Sequence, residues 1–128
     1  MKYLLDTHTF LWWDSDSTKL SSTVQDVIKE TDSSLYVSLA SVWEIQIKSQ
    51  LEKLTLPAPL AEIIERQHKI NRIELLAMSL RHVLTLDQLP QYHRDPFDRI
   101  LIAQAISDDM TLISRDPKLK QYAVAVLW

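Results

Sequence analysis

Four acids, Asp6, Glu44, Asp98 and Asp116, are the residues of this chain whose type and spacing point to chemistry. Asp6 directly follows Tyr3-Leu4-Leu5, so its charge sits among apolar neighbours, a costly position for a carboxylate without a partner. Taken singly, Glu44, Asp98 and Asp116 are explained as caps or dipole partners at helix N-termini, where carboxylates are favoured. Brought to one place, the four would repel one another and raise some of their pKa values unless a cation neutralised them. Oxygen donors without cysteine or a histidine cluster favour hard cations, so Mg²⁺ or Mn²⁺ is expected rather than Zn²⁺. Such ions activate water and stabilise a leaving oxygen in phosphodiester hydrolysis.

The elements that must bring these acids together follow from hydrophobic periodicity. Short apolar runs at residues 2–6, 35–38, 73–77, 111–114 and 123–127 read as strands, separated by segments of helical period. That alternation predicts an α/β fold with a central, parallel, five-stranded, doubly wound sheet flanked by helices. Helix starts are expected at Ser22-x-x-Gln25, at Ser41-x-x-Glu44 and at Asp95-Pro96, and further helices over residues 60–70 and 79–86, the latter closed by Leu89-Pro90. Pro57 and Pro59 mark a loop, and residues 51–60 carry no clear pattern. In open α/β sheets ligands sit outside the carboxyl ends of the strands. All four acids fall there: Asp6 ends the first strand, Glu44 lies in the first turn after the second, Asp98 opens the helix leading to the fourth, and Asp116 follows the fourth.

Composition bounds the rest. At 128 residues the chain is the size of one domain, expected to span 1–128. An apolar fraction of 46% with 24% charged residues is that of a globular protein, without repeats or low-complexity tracts. The apolar start is too short for a signal peptide or a membrane span, so a cytoplasmic location away from membranes is expected. The lack of cysteine excludes disulfides, thiolate zinc sites and cysteine nucleophiles. The lack of glycine excludes the phosphate loop, the dinucleotide fingerprint and the nucleophile elbow. A net charge of −3 argues against holding nucleic acid mainly by phosphate neutralisation, so any such chemistry must rely on metal and a local basic rim.

At this point the chain resembles PIN-domain ribonucleases, specifically the VapC-type toxins of bacterial toxin–antitoxin pairs. The likeness is carried by Leu4-Leu5-Asp6-Thr7-His8, by residues 38–45 (Ser-Leu-Ala-Ser-Val-Trp-Glu-Ile), by residues 93–99 (His-Arg-Asp-Pro-Phe-Asp-Arg), by Ser114-Arg115-Asp116-Pro117 and by the closing Val126-Leu127-Trp128. It implies a PIN-like fold, a metal-dependent endoribonuclease with Asp6, Glu44, Asp98 and Asp116 as the acidic ligands of Mg²⁺ or Mn²⁺, and Ser114 in support. Asp98 is preferred over Asp95 because it stands 18 residues before Asp116, the interval expected in the family, and because Pro96 makes Asp95 a natural N-cap. The implied mechanism is in-line hydrolysis of an RNA phosphodiester with no covalent enzyme intermediate, and the implied partners are RNA, a second copy in a homodimer, and an antitoxin whose tail covers the active site. Arg94, Arg99, Arg115, Lys118 and Lys120 surround the acids in sequence and are read as phosphate contacts or as a solvated rim. The chain departs from the family where glycine commonly follows the second-strand helix and precedes the fourth strand; Glu52 and Asp109-Met110 stand there. Ser114 replaces the commoner threonine and keeps its hydroxyl.

His8 and His93 are read as hydrogen-bonded or surface residues and given no catalytic role. Trp12, Trp13, Trp43 and Trp128 are read as core or edge packing, although adjacent Trp12 and Trp13 cannot both face the same way on a helix, so that one suits a protein interface. Two other classes compete. A phosphoreceiver needs an aspartate after the third strand, where Leu75-Leu76-Ala77-Met78 stands instead. A catalytically silent binding module would keep the fold and use its acids only as caps.

Overall fold

In the computed structural model, which describes residues 1–128, the apolar runs pair as five parallel strands: β1 (Lys2–Leu5), β2 (Ser34–Ser38), β3 (Ile73–Leu76), β4 (Thr111–Ile113) and β5 (Val126–Leu127). Helices α1 (Thr7–Ser15), α2 (Ser22–Lys29), α3 (Leu39–Gln50), α4 (Leu60–Asn71), α5 (Leu80–Thr85) and α6 (Pro96–Ser107) connect them. Every strand falls within, or one residue beyond, a run read from the sequence. The sheet order is β3-β2-β1-β4-β5, with Leu5 in register with Val37 on one side and Ile113 on the other. Winding outward from β1 to β3 and returning to the far flank of β1 places the reversal of strand order between β1 and β4, where a crevice opens outside the carboxyl ends.

Alternation along each strand divides the core. Tyr3, Leu5, Val37 and Ile113 pack with Phe10, Val24, Ile28 and Ile63 on one face, whereas Leu4 and Leu112 pack with Leu101, Ile102 and Ala103 on the other. Both faces are covered, which is why the strands read as continuous apolar runs rather than as apolar–polar alternation. Each fully buried aliphatic side chain contributes roughly 1.5–3 kcal/mol relative to exposure, so the central strand is the best anchored part of the sheet. No helix is long and apolar enough to cross a membrane.

Two helix starts differ from expectation. Ser38, not Ser41, caps α3, accepting the Ala40 amide at 3.0 Å, because β2 runs into the helix with no intervening loop. Glu44 consequently lies in the second turn of α3 rather than the first. Ser21, not Ser22, caps α2 by accepting the Val24 amide at 3.2 Å. Ser79 caps α5, which is shorter than the predicted helix and gives way to a 3-10 turn at Leu86–Gln88. Trp12 and Trp13 are both half-buried against the first core layer, and the exposed tryptophan is Trp43.

Glu52 and Asp109, which close the turns after α3 and α6, have φ of 58° and 53°, and Arg72 after α4 has 55°. These left-handed positions favour glycine, and a side chain there costs about 1–2 kcal/mol, less for aspartate, which tolerates the conformation. Because glycine also gives the unfolded chain more freedom, Glu52→Gly is expected to raise the unfolding free energy by about 0.5–1 kcal/mol and Asp109→Gly by less. Urea unfolding of the two variants checks this; a loss of stability in Glu52→Gly would show that its side chain is needed at the turn.

Candidate active site

Asp6 leaves β1 as the N-cap of α1: its backbone N–H donates to Ile113 O at 3.0 Å, and its Oδ1 accepts the Thr9 amide at 2.8 Å. Glu44 is buried on α3, where Oε1 accepts the Thr7 hydroxyl at 2.7 Å and Oε2 accepts the Lys48 ammonium at 2.7 Å. The Ser41 hydroxyl lies 3.0 Å from that of Thr7, so Glu44 is held from two elements. Asp95 caps α6 through the Phe97 amide with Pro96 in the first turn, as its sequence predicts, and Asp98 follows on the next positions of the helix. Asp116 opens the 3-10 turn Pro117–Gln121, its Oδ1 accepting the Lys118 amide at 2.9 Å. Behind it the buried Ser114 hydroxyl accepts the Asp116 amide at 3.1 Å.

His93 joins the last two acids. Its Nε2 is 3.0 Å from Asp98 Oδ2 and 3.1 Å from Asp116 Oδ2. Its Nδ1 accepts the Asp95 amide at 3.1 Å, which assigns the ring proton to Nε2; that N–H donates to Asp116 Oδ2, while Asp98 Oδ2 lies within ion-pair distance. His93 Nε2 and carboxylate oxygens of Asp98 and Asp116 all lie within 4.8 Å of one another, and with the proton on Nε2 the two carboxylates are the groups of this trio that can face a cation. Burial is the largest reason that the Asp98 carboxyl is pushed from 3.8 up to about 7; the charge of Asp95 adds to it, His93 pulls the other way, and Asp6 and Glu44 push further. All four site acids and Asp95 are thus gathered at the carboxyl edge of the sheet, as the topology requires. The Lys48 amine is raised above its ordinary range, first by its bond to Glu44 and more weakly by Asp95 and Asp98, despite the opposing effect of burial.

The donor chemistry fits a hard divalent ion. Oδ2 of Asp6 and Oδ1 of Asp98 make no hydrogen bond within the chain, and the crowding that raises Asp98 is relieved by positive charge. Of the basic residues read around the acids, Arg94, Arg115, Lys118 and Lys120 are exposed and form no ion pair, while Arg99 donates to Pro90 O at 2.8 Å and holds the loop before α6. His93 and Lys48 had no part in the sequence-level site. Lys48 was legible as an i+4 partner of Glu44; for His93 the only signal was its place two residues before Asp95-Pro96. His8 is exposed beside Trp12 and away from these contacts.

The family model for the PIN domain matches residues 3–125. The chain belongs to the PIN-domain family. Within it, a ribonuclease of Mycobacterium tuberculosis, VapC22, is 26% identical over 93% of this chain and 90% of its own length. Among solved structures, VapBC2 of Rickettsia felis bound to a promoter DNA fragment has a TM-score of 0.75 at 15% identity, covering 99% of this chain and 98% of the other. VapBC-1 of nontypeable Haemophilus influenzae has a TM-score of 0.72 at 16% identity, covering 99% and 97%. At such identities the two structures bear on the PIN fold alone.

The raised Asp98 carboxyl fixes the sign of a pH dependence. Between 3.8 and about 7 the folded protein keeps a proton that the unfolded chain has released, so metal-free stability falls as pH rises through that window. In EDTA the unfolding free energy from urea titration is expected to drop between pH 5 and pH 8, by a few kcal/mol at most, and Asp98→Asn to remove that part of the drop. Added Mn²⁺ should raise that free energy more at pH 8 than at pH 6, because protons compete with the ion for the carboxylates. An unfolding free energy whose pH dependence is unchanged by Asp98→Asn would refute the assignment.

Proposed function

We propose that this chain is a metal-dependent endoribonuclease, the toxin of a bacterial toxin–antitoxin pair, acting in the cytoplasm on RNA phosphodiesters. The observation that carries the reading is the gathering of Asp6, Glu44, Asp98 and Asp116 at one sheet edge, with Asp98 pushed up to about 7 by burial and its acidic neighbours. The kinship with a ribonuclease of the PIN family supports the substrate class. When bound there, Mg²⁺ or Mn²⁺ supplies the Lewis-acid charge for in-line hydrolysis.

The chain's own groups give each acid one task. Asp6 and Asp98 offer their unbonded oxygens, and Asp116 and Glu44 complete an acidic set of ligands, direct or through water. The Thr9 amide aims Asp6, the Thr7 hydroxyl aims Glu44, and the His93 Nε2–H aims Asp116 with Asp98 3.0 Å from the same nitrogen. Ser114 supports Asp116 through its amide. Asp95 serves as the cap of α6. Arg94, Arg115 and Lys118 remain available to phosphates, while Arg99 serves the loop. A cognate antitoxin is the partner suggested by the VapBC structures, and a homodimer is supported by the exposed apolar side chains of Trp43, Met78, Leu80, Val83 and Leu84.

The silent-module reading draws on the capping bonds of Asp6 and Asp116. It accounts for Asp98 as a first-turn dipole partner of α6 but leaves Glu44 unexplained, since that carboxylate is buried beyond the first turn of α3.

Labelled RNA incubated with the purified protein in Mn²⁺ or Mg²⁺ is expected to yield discrete products that EDTA abolishes. Asp6→Asn, Glu44→Gln, Asp98→Asn and Asp116→Asn should each lower the cleavage rate at least about a hundredfold while remaining folded, in line with removal of a group that acts on the transition state. Asp95→Asn should keep most activity and cost at most about 1 kcal/mol of stability, since asparagine caps as well as aspartate. Cleavage that persists in EDTA, or that survives Asp6→Asn, would defeat the metal-dependent reading.

A further inference from the structure

Lys48 lies one helical turn beyond Glu44 on α3 and touches its Oε2 at 2.7 Å. It is the only lysine or arginine paired with any of the four site acids; the other such pairs are Arg66 with Asp14, Lys69 with Glu65 and Arg81 with Asp108. The two partners differ in exposure: the Glu44 side chain is 5% exposed, that of Lys48 40%. The ammonium therefore stands at the mouth of the site, with solvent on one side and the acids behind it. Glu44 does not depend on it for its place, because the Thr7 hydroxyl holds the other oxygen at 2.7 Å and Ser41 backs Thr7. The ammonium end of the pair is open to solvent, and a phosphate oxygen offers it a charge-assisted hydrogen bond of the same kind as the one that Glu44 makes.

The chain as a whole is acidic, with a net charge of −3, and an acidic edge repels a phosphodiester unless cations stand between them. The exposed side chains of Arg94, Arg115 and Lys118 pair with none of the acids, and the Arg99 guanidinium is occupied by Pro90 O. We propose that Lys48 is the phosphate-binding residue of this site: Glu44 stores its ammonium at the mouth of the free protein, and the ammonium passes to a non-bridging phosphate oxygen when RNA binds. This assignment rests on the ribonuclease reading and adds the residue that meets the substrate's charge. No bond is made or broken in the exchange; one ion pair replaces another. Methionine at this position keeps the unbranched apolar stem of the side chain and removes the charge.

The test is steady-state cleavage of a labelled single-stranded RNA at saturating Mn²⁺ over a series of KCl concentrations. Lys48→Met is expected to lower kcat/KM roughly ten- to a hundredfold, mainly through KM, as loss of a hydrogen bond to a charged group does. It should also reduce the slope of log KM against log[KCl] by about 0.7, the share of one phosphate contact on single-stranded nucleic acid. Lys48→Arg should keep the full slope and most activity. Thr7→Val, which loosens Glu44 and leaves Lys48 charged, should keep the slope whatever it does to rate. Calorimetric Mn²⁺ titration of Lys48→Met should give an affinity no weaker than that of the parent. An unchanged salt slope in Lys48→Met, or a defect erased by more Mn²⁺, would reduce Lys48 to a positioning residue for Glu44 and overturn the proposal. A parent protein that cuts no RNA in Mn²⁺ would overturn the ribonuclease reading itself, and this assignment with it.

Discussion

Mutual repulsion of carboxylates at one edge of the sheet is the constraint around which the rest of this molecule is arranged. Asp6, Glu44, Asp98 and Asp116 arrive from four separate stretches of chain, and the rise of Asp98 to about 7 records how strongly burial and its neighbours oppose another negative charge there. Nothing local to any one acid would keep them together. The parallel sheet does so, because its buried central strands fix the points at which β1, β2 and β4 release the chain, and the strain is carried by core packing on both faces. Two side chains moderate it: Nε2–H of His93 donates to Asp116 and lies 3.0 Å from Asp98, and the Lys48 ammonium faces Glu44. Helix N-termini help as well, since the Thr9 and Lys118 amides donate to Asp6 and Asp116. A site held in this way is less stable than the same fold with neutral side chains would be, which is the common relation between activity and stability.

How much of this was legible in the sequence follows from whether each contact is local. The strands were legible because both faces of the sheet are covered, so that runs such as Tyr3-Leu4-Leu5 and Leu112-Ile113 stay apolar without alternation. The cap at Asp95 was legible because Asp-Pro is itself a statement about local backbone geometry. Ser41-x-x-Glu44 had the same appearance and failed, because a capping box is a local pattern and the true start of α3 was decided by β2 running directly into the helix at Ser38. Ser41 turns out to back Thr7, an element 34 residues away, and no local pattern carries that.

The acids were legible for a different reason. Their types and their places after strands are sequence properties, while their partners are not. His93 reaches Asp116 across 23 residues, and its role depends on Nδ1 being occupied by the Asp95 amide, a detail of ring orientation that composition cannot express. Arg99 shows the converse. Beside Asp98 it reads as a contact for anions, yet its guanidinium is drawn to the carbonyl of Pro90 by the path of the preceding loop. Charge near a site in sequence therefore predicts charge near it in space where helical spacing puts both groups on one face, as i,i+4 does for Glu44 and Lys48 and as adjacent Asp98 and Arg99 do not.

That loop explains why α6 delivers Asp98 reproducibly. The Tyr122 hydroxyl donates to Pro90 O at 2.9 Å and accepts the His93 amide at 2.9 Å, with Arg99 at 3.3 Å as a second donor, so its hydrogen-bonding capacity is filled. Tyr122 follows the turn opened by Asp116, which means that one residue ties the entrance of α6 to the segment carrying the other acid. A shift of either stretch would move His93 with it and change the separation of Asp98 from Asp116. The spacing of those two carboxylates is thus set by a tyrosine outside the acidic cluster, through backbone contacts rather than through either side chain. Such coupling lets a crowded edge remain ordered with one paired ammonium, that of Lys48, since the electrostatic cost is met by rigidity built elsewhere in the fold.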